Sequence, residues 1–245
     1  MFGGRGIAIP SKEKVTVSWA EDATSTRVNV VWKNSEAGME WMKYTHNILS
    51  EIEKERGPLK GRLTIESTVP LGKGMGSSTA LVVALCRCLL GEMSAKVAVR
   101  IENFVNPGNS GLDFAVIWTG KPLLYKQGVV PEEIDFDMSQ LKDAKLIDTG
   151  SPNEPTPMLV EWVRKRNDDE CRQAIEMIGN CTERLLKGEP LKDVMRDHAR
   201  AQILLGVVPA SARKVIEEVE ANGGSAKVLG AGARTGGGGM VLVLP

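Results

Sequence analysis

The chain has 245 residues, with 31 basic and 31 acidic side chains and a formal net charge of zero. That balance gives no overall attraction to nucleic acid or to an acidic membrane, and no run of 18 apolar residues offers a transmembrane helix. The length suits one large domain or two fused lobes with a real core. The opening MFGGRGIAIP lacks the charged and long apolar regions of a secretory signal. Cys86, Cys88, Cys171 and Cys181 form no CxxC pair. Cys86 and Cys88 read as buried free thiols of an apolar helix, and a reducing cytoplasm is the expected compartment. A zinc site from two cysteines with His46 or His198 is disfavoured.

In chain order, GRGIAIP and KVTVSWA read as strands, and STRVNVVWKN as a third with Val28, Val30 and Trp32 on one face. GMEWMKYTHNILSEIEKER places Met39, Met42, Ile48, Leu49 and Ile52 at helical spacing, and Gly57-Pro58 ends the helix. GRLTIESTVP is a strand with Leu63, Ile65 and Val69 inward. A glycine-rich stretch follows, then a helix from Ser78 to Leu90. LDFAVIWTG and KPLLYKQG are predicted to pair as strands around Gly120-Lys121, and AKLIDTG to form a short buried strand. From Thr156 to about Gly188 the pattern is mainly helical. Two more helices end at Gly206 and at Gly223-Gly224. SAKVLGAG and GGMVLVLP are strands around a second glycine-rich turn. This mixture argues an α+β protein of two lobes.

The first glycine stretch, PLGKGMGSSTA, precedes the most apolar helix of the chain. Glycines let backbone N–H groups approach a ligand. A helix N-terminus adds unpaired N–H groups and partial positive charge, so together they suit an anion such as phosphate. Ser77 and Ser78 can cap the helix or offer hydroxyls to phosphate or Mg²⁺, and Lys73 supplies a mobile cation. A plain strand-to-helix turn is the competing explanation. The stretch is neither GxxxxGK[ST] nor GxGxxG.

Pro70, Gly74, Gly76, Ser77, Ser78 and Ala80 resemble the central motif P-x-x-x-G-L-G-S-S-x-A of the GHMP kinase superfamily, with Met75 in place of the usual leucine. The resemblance implies a two-lobed fold: an N-terminal lobe over 1–140, like the second domain of ribosomal protein S5, and a ferredoxin-like C-terminal lobe over 141–245. It also implies ATP and Mg²⁺ as cofactors. The triphosphate would lie on Lys73, Gly74, Met75, Gly76, Ser77, Ser78 and Thr79. The magnesium ion would lie on Ser78, with Ser77 the alternative.

Further on, IENFVNPGNSGLDFAV resembles the mevalonate kinase segment in which a glutamate precedes an aspartate by eleven positions. Glu102 and Asp113 have that spacing. By resemblance Glu102 helps to hold Mg²⁺, Asp113 is the general base at the substrate hydroxyl, and Ser110 lies near substrate. Read without the motif, Asp113 is a solvated turn residue and Glu102 an exposed helix charge. LIDTGSPNEPTPMLVEWV resembles the opening of the family's C-terminal lobe, with Thr156 either a plain helix cap or a substrate contact.

The closing segment resembles the family's last motif through Lys227, Gly230, Ala231, Gly232 and the glycines at 236–239. Gly232 would face substrate, and Gly236 and Gly237 the nucleotide. An apparent insertion, Ala233-Arg234-Thr235, splits that glycine run, and Arg234 has either a phosphate or solvent before it. His198 reads as a surface or packing histidine.

The resemblance implies ATP-dependent phosphorylation of mevalonate. Alternatives are a sister enzyme acting on phosphomevalonate, the mevalonate 3-hydroxyl or homoserine, or a non-catalytic nucleotide- or metabolite-binding homologue. A small hydroxy acid is the expected partner, with no nucleic acid and no membrane, and a homodimer is compatible. One departure stands out. The family's N-terminal lysine has no positional counterpart, and Lys12, Lys14 and Arg5 are the nearby cations. A compact enzyme, an incomplete start and lost catalysis are all consistent with that.

Overall fold

The computed structural model describes residues 4–34, 37–166 and 168–245. The elements begin β1 (Gly6–Ala8), β2 (Val15–Glu21), β3 (Val28–Trp32), α1 (Met39–Arg56), β4 (Gly61–Ser67), α2 (Ser77–Leu90), α3 (Ala95–Val105) and α4 (Leu112–Thr119). They continue β5 (Leu123–Tyr125), β6 (Glu132–Glu133), β7 (Lys145–Asp148), α5 (Thr156–Lys165), α6 (Asp169–Leu186), α7 (Leu191–Leu204), α8 (Ala210–Ala221), β8 (Ser225–Val228) and β9 (Met240–Leu244). Among the described residues, no helix is long and apolar enough to cross a membrane.

The chain divides into two compact units. One comprises 8–71 and 76–121, the other 1–7, 72–75 and 122–245. The main division thus follows Lys121 rather than residue 140, and the glycine stretch carries the chain briefly from one unit to the other.

In the unit of 8–71 and 76–121, β4 is central, antiparallel to β2 and parallel to β3. Its alternation puts Leu63 and Ile65 fully inside, as a half-buried strand requires. They meet Ile48 and Ile52 of α1, Leu81 and Leu85 of α2, and Ile101 of α3 in one core. Truncating any of these large side chains to alanine costs roughly 2–5 kcal/mol. Met39 lies outside that stripe and is 89% exposed.

Two expectations fail here. Residues 112–119 are helix, not strand. Apart from Asp113 and Thr119 the sequence LDFAVIWT is apolar, so alternation and helical period cannot be told apart. Left-handed glycines at both ends, Gly111 and Gly120, mark out a helix, and Phe114 stacks on Trp118 one turn later, 5.5 Å between centroids. The strand β5 pairs instead with β6. Cys88 is exposed while Cys86 is buried, because two steps along a helix turn a side chain by about 200°.

In the other unit, β7, β8 and β9 form an antiparallel sheet in the order β7-β9-β8. β9 is central and nearly wholly buried, and Val241 and Val243 pack with Ala212 and Ile216 of α8. β7, expected to be buried, is an edge strand and largely exposed, with Ile147 at 37%. Its apolar run matched a buried strand, but it has a neighbour on one side only.

Candidate active site

The unit of 8–71 and 76–121 holds Gly76, Ser77, Ser78, Glu102 and Asp113. Gly76 is left-handed (φ +67°) and caps α2 from its backbone; no side chain caps this helix. Ser77 and Ser78 are therefore not the caps they could have been. A β-carbon on Gly76 would stand 3.3 Å from the carboxyl of Asp113. A side chain there would press on that carboxylate at the helix N-terminus, and the positive φ also favours glycine.

Asp113 sits in the first turn of α4, not in a turn before a strand. Arg87 fixes that helix, donating to the Trp118 carbonyl at 2.7 Å with its guanidinium over the Trp118 ring. The Asp113 side chain is accessible to solvent, yet the protein packed around it withdraws enough water to raise its carboxyl above the ordinary aspartate value.

Glu102 is 2% exposed, so it is not a solvated helix charge. Oε1 accepts from the Thr79 hydroxyl at 2.8 Å and from Asn106 Nδ2 at 3.0 Å. Oε2 is buried without a hydrogen-bond partner. Burial raises this carboxyl, and the two hydrogen bonds oppose the rise. An orphaned carboxylate oxygen beside α2 fits a hard cation. Among the described residues, no group of three or more His, Cys, Asp or Glu could hold a metal ion alone. That suits Mg²⁺, which takes one or two carboxylates and completes its shell from phosphates and water. Thr79, expected on phosphate, points its hydroxyl inward to Glu102 instead.

Two residues of this cluster carry no sequence signal of their own, Tyr44 and Asn106. Asn106 donates to the Tyr44 hydroxyl at 2.7 Å, and Tyr44 shares a hydrogen bond with Ser78. Ser110 accepts from the Leu112 N–H at 3.3 Å, turning the chain into α4.

In the other unit the two glycine-rich turns meet backbone to backbone. The Met240 N–H donates to the Lys73 carbonyl at 3.1 Å. A β-carbon on Gly230 would stand 2.7 Å from the Gly74 carbonyl oxygen, and one on Gly239 2.6 Å from that of Lys73. The second run also zips onto 149–153. The Gly237 and Gly239 N–H groups donate to the Ser151 and Gly150 carbonyls at 2.8 and 2.9 Å, and Gly238 to the Thr149 hydroxyl at 3.1 Å. The Gly237 N–H, expected to face nucleotide, is thus engaged within the protein. Gly236 closes against Asn153, and Gly232 against the Val207 carbonyl.

Lys73 is not the mobile cation expected. Its Nζ donates to Ser151 Oγ at 3.0 Å and lies 3.3 Å from Asp148 Oδ2. Thr156 is exposed and is the first helical residue, after Pro155 at the N-cap, so it is not the cap. Arg234 is exposed to solvent, one of its two expected surroundings; it also pairs with Glu154 and lies over Trp162, 4.5 Å from the ring. His198 is a packing histidine. Its Nδ1 is buried without a partner, and burial, aided by the Lys227 charge, lowers its pKa to about 3. Arg5 is held by Glu183 through Nε and Nη2.

Residues 43–121 match the GHMP kinases N terminal domain, the stretch that holds Tyr44, Ser78, Glu102 and Asp113. Over that stretch, about a third of its length, the chain is similar to the GHMP kinases. It is 31% identical over 150 residues to the mevalonate kinase of Thermococcus sibiricus, across 57% of this chain and 42% of that protein. To the mevalonate kinase of Thermococcus onnurineus it is 28% identical over 274 residues, across 98% and 75%. The first of these matches spans less than half the relative's length. The crystal structure of L. major mevalonate kinase in complex with R-mevalonate superimposes with a TM-score of 0.77 at 17% identity, covering 99% of this chain and 81% of that one. The fold is therefore that of the GHMP kinases.

Proposed function

We propose that the protein transfers the γ-phosphoryl group of ATP to the primary hydroxyl of mevalonate, giving 5-phosphomevalonate and ADP. The observation that carries this reading is the Asp113 carboxyl against Gly76 at the N-terminus of α2, on the unit that also buries Glu102. A base stands beside the positive end of a helix, where phosphate binds best. The choice of acceptor follows from the relatives, which are mevalonate kinases, one of them solved with R-mevalonate.

In this reading, residues 74–78 cradle the triphosphate, and Glu102 and Ser78 hold Mg²⁺. The ion, when bound, supplies charge neutralisation on the phosphates. Asp113 orients the acceptor hydroxyl and takes its proton as that oxygen bonds to the γ-phosphorus and ADP leaves. Its raised carboxyl makes it a better base than an ordinary aspartate. Ser110 is assigned to the acceptor side. The glycines of the second run hold the loop carrying Lys73 and Gly74 in place rather than binding nucleotide through every N–H.

The test is ADP release from purified protein with ATP, Mg²⁺ and either mevalonate, phosphomevalonate or homoserine. Mevalonate-dependent turnover is expected, falling about 10²–10⁴-fold in Asp113→Asn while nucleotide binding persists. Turnover with another acceptor only, or an undiminished Asp113→Asn enzyme, would overturn the assignment.

A further inference from the structure

Glu102 and Ser78 come from different helices, α3 and α2. A third helix joins them. Tyr44 of α1 accepts at its hydroxyl from Asn106 Nδ2, 2.7 Å away, and the same nitrogen donates to Glu102 Oε1 at 3.0 Å. Asn106 follows Glu102 by one helical turn, so both amide protons are used, one on each partner. The same phenol oxygen shares a hydrogen bond with Ser78, in the sense of the serine O–H donating to it, which leaves the serine lone pairs for a cation.

The ring itself is held by packing. Trp41 meets it edge-on at 5.8 Å, and Trp32 meets Trp41 at 6.2 Å. Trp32 Nε1 donates to the Thr45 hydroxyl at 3.2 Å, and that hydroxyl donates back to the Trp41 carbonyl at 2.7 Å. The chain Ser78–Tyr44–Asn106–Glu102–Thr79 is therefore continuous, and it leaves Glu102 Oε2 as the atom without a partner.

We infer that Tyr44 is a positioning residue for the cation: its hydroxyl sets the orientation of the Ser78 oxygen and, through Asn106, of Glu102 Oε2, without contacting the phosphoryl group in transit. This rests on the kinase reading above and names a part of the site that no spacing along the chain reveals. Groups that orient metal ligands typically contribute about 10–100-fold in metal affinity.

The experiment is calorimetric titration of a non-hydrolysable ATP analogue at a series of Mg²⁺ concentrations and in EDTA, on wild type, Tyr44→Phe, Asn106→Ala and the double variant. Tyr44→Phe keeps the ring and its packing. Its half-saturating Mg²⁺ concentration is expected to rise about 10-fold or more, with nucleotide affinity in EDTA and the KM for mevalonate unchanged. Asn106→Ala should show the same defect, and the double variant little more than either, because residues of one network are not additive. An unchanged Mg²⁺ dependence in Tyr44→Phe, or full additivity, would overturn the proposal while leaving the kinase reading intact. Wild-type protein that binds no nucleotide under any condition would overturn both.

Discussion

Glu102 is a carboxylate where solvation is least, and its raised pKa is a statement about stability. Between the ordinary glutamate value of 4.5 and its raised folded value, the native state holds a proton that the unfolded chain has released. Stability from this group is therefore present below 4.5 and declines as pH rises through the folded value. Glu102→Gln removes the charge, and its side-chain carbonyl can still accept from Thr79 and Asn106. Melting curves across that range should show the variant no less stable than wild type at neutral pH, while Mg²⁺-dependent turnover falls by about 10²-fold or more. A variant that loses stability at neutral pH would show that the charge is compensated inside the fold. The spacing of Glu102 and Asp113 singled both out in the sequence as candidates. Tyr44 was not, because its partner Asn106 lies 62 positions away and nothing local marks a tyrosine on an amphipathic helix as other than core.

Among the elements, the two glycine-rich turns show how a motif can be legible while its work is not. GGGG announces a close approach; the structure identifies what approaches, namely the backbone of 149–153 and of Lys73. A β-carbon on Gly237 would sit 2.1 Å from the Gly150 carbonyl carbon, whereas one on Gly72 meets nothing within 4 Å. Gly237→Ala should therefore lower stability by more than about 2 kcal/mol. Gly72→Ala, left-handed at φ +69°, should lose only about 1–2 kcal/mol from backbone strain. Urea midpoints separate the two, and equal losses would show that crowding by 149–153 is not what excludes a side chain. Helix α4 shows the opposite failure. Its residues were expected to form a strand, because a mostly apolar octet with one charge carries no clear period, so only the bounding glycines and the Phe114–Trp118 stack reveal a helix. Helix α7 has its own pH signature. His198 is held neutral with a folded pKa near 3 against the ordinary 6.5. The unfolded chain binds the extra proton, so stability is full above 6.5 and is lost as pH falls toward 3. His198→Leu should flatten that acid limb in thermal melts; an unchanged limb would place its cause in other groups.

For the whole molecule, the succession of strand and helix patterns predicted an α+β chain of two lobes, and the lack of a long apolar run predicted no membrane span. The point of division was less legible, because the chain enters the second unit first at 72–75, a detour of four residues that no composition shift marks. Lys73 and Gly74 lie on that detour and meet the second glycine run backbone to backbone. A ligand that binds residues 74–78 only in the native state therefore stabilises native structure by mass action, by about 2.7 kcal/mol at a hundredfold excess over its dissociation constant. In a chain of this size each kcal/mol moves the melting point by about 2–4 °C, so a rise of roughly 5–10 °C is expected with Mg²⁺ and a non-hydrolysable ATP analogue together. Either one alone should give much less, since on the proposed reading Glu102 and Ser78 would hold the ion that neutralises the phosphates. Gly76→Val, which would thrust a branched side chain toward the Asp113 carboxyl, should abolish the shift whatever its own melting point. A melting point that does not respond to Mg²⁺-nucleotide at any concentration would remove the nucleotide, and with it the kinase reading, from this fold.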